Sequence, residues 1–266
     1  MPVVEYQPED FELVAQTGKQ AEIPALLHRP YMDYYYTTSP YAKFYFSTDD
    51  RKSVKAMIGV EKMPFLFGEN PVTVGFGHHL YSGQQGSGGL IFVHWVKSCQ
   101  VPMEFGGNEE AHRLIQGARW EYFEGIHTYS LNPRYRTRPE DSSVTKLAKR
   151  VFCKAATRAT LHKRLSQITS SAPSGLEIKE EQEYTEDLLP QTSPFTVRFA
   201  PPIDYLKWRY NTNLSFVKYR LFRLLLSEET IGYVVINDHP LRRVVAHCDA
   251  TDPIALAHGV LLCLAE

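Results

Sequence analysis

The sequence is poor in most features that would define a protein class at once. Its four cysteines, Cys99, Cys153, Cys248 and Cys263, are scattered, with no CxxC pair and no histidine at zinc-ligand spacing. That argues against a disulfide framework and against a structural metal site, and the thiols read as small apolar side chains. There is no surplus of positive charge: 29 Lys and Arg face 30 Asp and Glu, for a formal net charge of −1. A global nucleic-acid clamp needs such a surplus, so no nucleic-acid partner is expected. No apolar run approaches the ~20 residues that a membrane helix requires. The opening MPVVEYQPEDFE has neither a basic region nor an apolar one, so it does not read as a secretory signal, and a cytoplasmic protein is expected.

What remains is an ordinary globular composition, 43% hydrophobic and 22% charged, over 266 residues. That length suits one large domain or two modest ones. Aromatics are plentiful, and Tyr31, Tyr34, Tyr35, Tyr36, Tyr41, Phe44, Tyr45 and Phe46 crowd into one stretch. Tyrosine offers apolar area with a polar tip, so this run either lines a ligand cleft or packs an α/β seam.

Three stretches differ in pattern. Residues 1–129 read as an α/β unit, with a strand at Val3–Tyr6 and a helix from Phe11 to Leu27 capped by Asp10. Lys55–Phe67 and Val72–Tyr81 flank the turn Gly68-Glu69-Asn70 and read as a β-hairpin. Helices are expected at Leu90–Lys97 and Glu109–Phe123, with a short strand at Pro102–Phe105 between them. Residues 130–194 are segregated by charge. Lys146, Lys149, Arg150, Lys154, Arg158, Lys163 and Arg164 meet no acid, whereas Glu177–Asp187 holds six acids and one lysine. The basic part has helical apolar spacing and suits an anionic membrane surface or RNA; the plainer reading is a solvated linker. Residues 195–266 regain order: a short helix at Ile203–Tyr210, a hairpin from Tyr219–Leu226 and Ile231–Asn237, a strand at Arg243–Cys248 and a helix at Pro253–Leu264.

The most informative motif is the loop Gly83-Gln84-Gln85-Gly86-Ser87-Gly88-Gly89 at the start of a helix. Glycines let the backbone bring its N–H groups close to a ligand, and the helix start favours an anion such as phosphate. No Gly-Lys-Ser/Thr follows, and GxGxxG is absent, so it is neither a Walker A loop nor a dinucleotide fingerprint.

Hairpin, Gln-Gly-x-Gly-Gly loop, helix, short strand, Asn and helix together resemble the core of the GNAT (N-acetyltransferase) superfamily. Gln85-Gly86-Ser87-Gly88-Gly89 resembles its pyrophosphate loop, Gly59-Val60 its hairpin-opening strand, and Asn108 with Ala111 the Asn-x-x-Ala opening its fourth helix. The resemblance covers about residues 3–129. It implies a mixed, mostly antiparallel α/β sheet flanked by helices, and N-acyl transfer from acetyl-CoA or another acyl-CoA, without a metal. Leu90 departs from the loop's usual small residue. Ile115 stands where many members have a tyrosine that acts as general acid, and Tyr122 lies further along the same helix.

The resemblance assigns the pyrophosphate to the N–H groups of Gln85, Gly86, Ser87, Gly88 and Gly89, the pantetheine arm to Leu80, Tyr81 and Ser82, and a supporting place to Asn108. A base for the amine is sought in His78 or His79, which strand alternation sends to opposite faces; His79 is preferred and Glu104 is second choice. Asp204-Tyr205-Leu206-Lys207-Trp208-Arg209-Tyr210 resembles the start of the second half of tandem GNAT-like proteins. That half has Thr251-Asp252-Pro253 in place of a glycine loop and so should not bind CoA. It is a partial unit, and either the chain is a fragment or residues 1–8 or the linker complete its sheet. The expected domains are 1–129, 130–194 and 195–266, and the acceptor is a small-molecule or peptide amine, with a homodimer left open. Two other readings stand beside the enzyme: a degenerate protein that binds acyl-CoA or a partner without turnover, and an RNA or membrane adaptor working through Lys146–Arg164.

Overall fold

A computed structural model describes residues 2–49, 52–84, 86–104, 109–121, 141–168, 173–239 and 242–266. The chain runs β1 (Val3–Glu5), α1 (Phe11–Gln20), α2 (Arg29–Tyr36), β2 (Ala42–Asp49), β3 (Ser53–Phe67), β4 (Asn70–Ser82), α3 (Ser87–Ser98), β5 (Val101–Met103) and α4 (Glu109–Gly117). There follow α5 (Ser143–Ile168), β6 (Leu176–Glu181), β7 (Val197–Phe199), α6 (Ile203–Arg209), β8 (Tyr219–Leu226), β9 (Glu229–His239), β10 (Arg242–Ala250) and α7 (Pro253–Ala265). Packing divides them into one unit of Met1–Tyr122 with Phe195–Tyr205, and another of Phe123–Pro194 with Leu206–Glu266.

The sheet of the first unit has the order β1-β2-β3-β4-β5, antiparallel except for the parallel pair β4–β5. β7 pairs with the far end of β3, so residues 195–205 pack with the first unit. On one face, Ala56, Ile58 and Val60 of β3 meet Ile91, Phe92 and Trp95 of α3. These helix residues lie at i, i+1 and i+4 and form a single apolar stripe. Two glycines of β4 let α3 come close. A Cβ on Gly77 would lie 2.5 Å from Trp95 Cζ2, and one on Gly75 would lie 2.3 Å from Cys99 Cβ. The Trp95 indole N–H donates to the Gly75 carbonyl at 3.0 Å. The opposite face carries α2, with Tyr36 against Phe44 at 5.2 Å between ring centroids.

Two local readings change. The helix expected from Phe11 to Leu27 ends at Gln20; Glu22 takes a left-handed backbone (φ 54) and a 3-10 turn follows over Pro24–Leu27. The Asp10 carboxylate does not cap α1 but accepts from the Gln7 N–H at 3.1 Å. The aromatic stretch contains a helix the pattern did not announce: α2 starts at His28, whose Nδ1 accepts from the Tyr31 N–H, and buries Met32, Tyr35 and Tyr36. The packing reading holds for Tyr35 and Tyr36, which are core residues, while Tyr31 and Tyr36 also reach histidines of β4.

The sheet of the second unit has the order β10-β9-β8-β6. Its fourth strand comes from the acid-rich stretch expected to be a solvated linker. Leu176 and Ile178 of β6 pack onto the cluster of Phe222, Leu224, Val234 and Ile236. Glu180 forms a bidentate pair with Arg220 at 2.7 and 2.8 Å, and Glu181 pairs with Arg223 at 2.8 Å. The acids are therefore matched by arginines of β8, and Tyr184 and Leu188 beyond them are buried. α7 covers this sheet, its Gly259 passing so close that a Cβ would lie 2.6 Å from Leu224 Cδ2. α5 packs against α7.

The Trp95–Gly77 contact gives a direct test of the first core. Trp95→Ala should cost about 3–5 kcal/mol and Gly77→Ala about 1–3 kcal/mol in urea unfolding followed by circular dichroism. The double variant should cost less than the sum, because the new methyl occupies space that the indole vacates.

Candidate active site

The site is built around an irregularity in β4. Gly59 pairs with His78 and Met57 with Tyr81, so His79 and Leu80 together face the single residue Ile58. This is a β-bulge, and His79 takes a left-handed backbone (φ 59) that a β-carbon disfavours. Before the bulge, odd-numbered residues of β4 face α3, as Gly75 and Gly77 do. After it the parity changes: Leu80 joins the cluster under α3, and Ser82 meets Ser87 at the start of α3.

The bulge overturns the expectation that His78 and His79 point to opposite faces. Their rings lie 4.8 Å apart, and both meet α2. The Tyr36 hydroxyl lies 3.3 Å from His78 Nδ1, and the Tyr31 hydroxyl 3.5 Å from His79 Nε2. Phe76 stacks on His78 at 5.9 Å with planes 12° apart. Gly59 makes the close approach feasible, since a Cβ there would lie 2.8 Å from the Tyr36 hydroxyl and 2.9 Å from His78 Cε1. Burial pushes the His79 imidazole down to about 4, so it is neutral at physiological pH.

The glycine loop follows at once. Gly86 is left-handed (φ 83) and opens α3, so the helix begins inside the Gly-rich segment, earlier than Leu90. Ser87 is fully buried. Its Oγ lies 2.6 Å from the Gln84 carbonyl, 2.9 Å from that of Lys55 and 3.0 Å from Ser82 Oγ, tying the loop to the ends of β3 and β4. A Cβ on Gly88 would touch Ser82 at 3.1 Å, whereas Gly86 and Gly89 have open space before them. Among the described residues no side chain caps this helix start. The surface can therefore hold an anion on backbone N–H groups. Gln85, Asn108 and Tyr122 lie outside the described residues.

Among the described residues, β5 pairs with Val74–Phe76 of β4, upstream of the bulge. Leu80, Tyr81 and Ser82 lie further along β4, where an extended ligand could be held by main-chain hydrogen bonds. Glu104 follows β5. Burial raises its carboxyl pKa, His112 of α4 opposes that shift, and its Oε2 has no hydrogen bond. Ile115 packs with Leu114 against the apolar cluster under α3.

In the second unit the corresponding helix start is closed. Asp252 Oδ1 accepts from the N–H groups of both Ile254 and Ala255 at 2.8 Å, the groups an anion would need at α7. β10 keeps a bulge between Val245 and His247. His247 stacks on Tyr210 at 5.8 Å, and burial lowers it to about 4.

The pairing of Tyr31 and Tyr36 with the two histidines was not expected from the sequence. The signal was present: His28 followed by Pro30 is an N-terminal helix signature, and residues 31 and 36 sit on neighbouring flanks of an eight-residue helix.

The two buried histidines predict a pH dependence. Each prefers its neutral form in the fold, while the unfolded chain takes up a proton near ~6.5. Stability should be undiminished above that pH, fall as pH drops towards 4, and level off below. Melting temperatures of the protein and of His247→Gln between pH 7.5 and 4 check this: the variant should show the shallower decline.

No protein-family model matches the sequence, and no curated protein matches it. Solved structures do. A conserved protein of unknown function from Enterococcus faecalis V583, described as a probable N-acyltransferase, aligns over 98% of this chain and 61% of its own, with a TM-score of 0.51 and 8% identity. The aminoglycoside 6′-N-acetyltransferase of Acinetobacter haemolyticus aligns over 50% of this chain and 99% of its own, at TM-score 0.37 and 13% identity. The ribosomal-protein-alanine N-acetyltransferase of Brucella melitensis biovar Abortus 2308 aligns over 49% and 100%, at TM-score 0.38 and 12% identity. The likeness over 98% of this chain, joined to the mostly antiparallel sheet with its flanking helices, shows that the chain shares the mixed α/β fold of that Enterococcus faecalis protein, of whose length it spans about three fifths.

Proposed function

We propose that the chain is a CoA-dependent N-acyltransferase, with acetyl-CoA the expected donor and the first unit catalytic. The observation that carries this reading is the contrast between two helix starts. α3 begins at a left-handed glycine and presents backbone N–H groups, whereas Asp252 fills the corresponding groups of α7 with its own carboxylate. One unit is shaped for a pyrophosphate; the other would repel it.

In this reading Gly86, Gly88 and Gly89, with Gln85, hold the pyrophosphate, the Ser87 N–H being engaged by the Gln84 carbonyl, and the strand edge at Leu80–Ser82 holds the pantetheine arm. The thioester then rests near the bulge. The acceptor amine attacks the thioester carbonyl, the C–N bond forms and the C–S bond breaks. The amine proton passes to the neutral His79 imidazole, and the departing thiolate takes a proton, with Tyr122 its candidate donor. Tyr31 and Tyr36 orient the two imidazoles from α2. Holding amine and thioester together supplies much of the acceleration. A second reading, acyl-CoA binding without turnover, draws on Ile115, which is part of an apolar cluster at the position of the family's tyrosine.

Titration calorimetry with acetyl-CoA should give one site per chain. Gly88→Asp, which adds charge and bulk against Ser82, should weaken binding about a hundredfold, equivalent to roughly 2.7 kcal/mol. Unchanged affinity in folded Gly88→Asp, or a stoichiometry of two, would overturn the site assignment.

His79→Ala should lower turnover by roughly 10²–10⁴-fold and remove an acid limb lying near pH 4, while His78→Ala should act more mildly and leave that limb in place. Wild-type pH profiles in both variants would pass the base to Glu104. Binding with no turnover on any amine offered would favour the second reading.

A further inference from the structure

α5 belongs to the second unit and is not explained by acyl transfer. Between Ser143 and Ile168 the sequence holds Lys146, Lys149, Arg150, Lys154, Arg158, Lys163 and Arg164, with no aspartate or glutamate. The helix packs against α7, yet it exposes large apolar side chains: Val144 is 78% exposed, Leu147 63%, Val151 62% and Phe152 65%. Val144, Leu147 and Val151 follow the i, i+3, i+7 spacing of one helix face, and Phe152 widens it. Lys149 forms an ion pair with Asp141 at 2.8 Å, which steadies the first turns.

An apolar stripe facing water on a helix with seven cations and no acid calls for a partner that is both anionic and greasy. We infer that α5 is a membrane-surface helix, laying Val144, Leu147, Val151 and Phe152 into the interface of an anionic phospholipid bilayer to which the helix's surplus of cationic residues draws it. The charge alone would suit RNA equally well, but a nucleic acid gives exposed Val and Leu no apolar surroundings. A second copy of the helix would cover the stripe but bring like charges together. The occupant that satisfies both features is the lipid surface. No helix among the described residues is long and apolar enough to cross a membrane, so the contact would be peripheral.

The test is sedimentation of the full chain with vesicles of phosphatidylcholine alone, or with 30% phosphatidylserine, and a parallel titration with a single-stranded RNA. Binding is expected to the mixed vesicles and to be roughly tenfold or more weaker on neutral ones. It should fall steeply between 0.1 and 1 M salt, as the screening length shortens from about 10 to about 3 Å. Leu147→Glu/Val151→Glu, on exposed positions, should abolish vesicle binding while far-UV circular dichroism and the melting temperature stay unchanged. The inference is overturned if mixed vesicles do not bind, if the folded double variant binds them as tightly as the parent, or if RNA binds more tightly than vesicles and is insensitive to the double variant. A dimer that dissociates on the same double substitution would also overturn it, by assigning the stripe to self-association.

Discussion

Everything near the candidate site depends on one extra residue in β4. Because His79 and Leu80 share a single partner in β3, the strand reverses which of its faces looks at α3. Upstream, that face is the glycine pair that lets Trp95 settle against the sheet. Downstream, it is Leu80 and Ser82, which close the core and anchor the loop through Ser87. The same irregularity brings two imidazoles under α2. An unbroken β4 would send the two histidines to opposite faces of the sheet.

The two units answer a shared problem in different ways. Each ends a bulged strand with a helix start, and a helix start always offers unsatisfied N–H groups. In the second unit an aspartate meets that demand permanently, which stabilises α7 by about 1 kcal/mol and closes the position to ligands. In the first unit a left-handed glycine stands at that place, the Ser87 N–H donates to the Gln84 carbonyl, and among the described residues no side chain caps the helix start. At this position one half of the chain carries a side-chain cap and the other, among the described residues, carries none.

Much of this was legible in the residues. Both hairpins, the glycine loop, α3, α7 and the aspartate in place of a second loop follow from period, turn residues and caps, which act over short stretches. What escaped depends on longer-range packing. The side on which His79 falls is set by its register against Ile58, which no local pattern states. β6 was hidden because its acids resemble a solvated run until Arg220 and Arg223 are placed beside them. α2 was obscured by tyrosines, which are poor helix formers that tertiary burial holds in place. β7 is three residues long and gains its identity only from the far end of β3.

The crossing of the chain between units has a consequence for biosynthesis. Phe195–Tyr205 belong with the first unit, where β7 extends the sheet and the Tyr205 hydroxyl donates to the buried carboxylate of Glu61, 144 positions earlier. A nascent chain that has emerged only as far as α4 holds that carboxylate without its donor and the end of β3 without its neighbour. Such a buried polar group disfavours the compact state until its partner arrives. The first unit therefore reaches its final form only after residues 123–194 of the second have been translated. The order of synthesis and the order of completion are interleaved, so that neither half is finished in isolation on the ribosome.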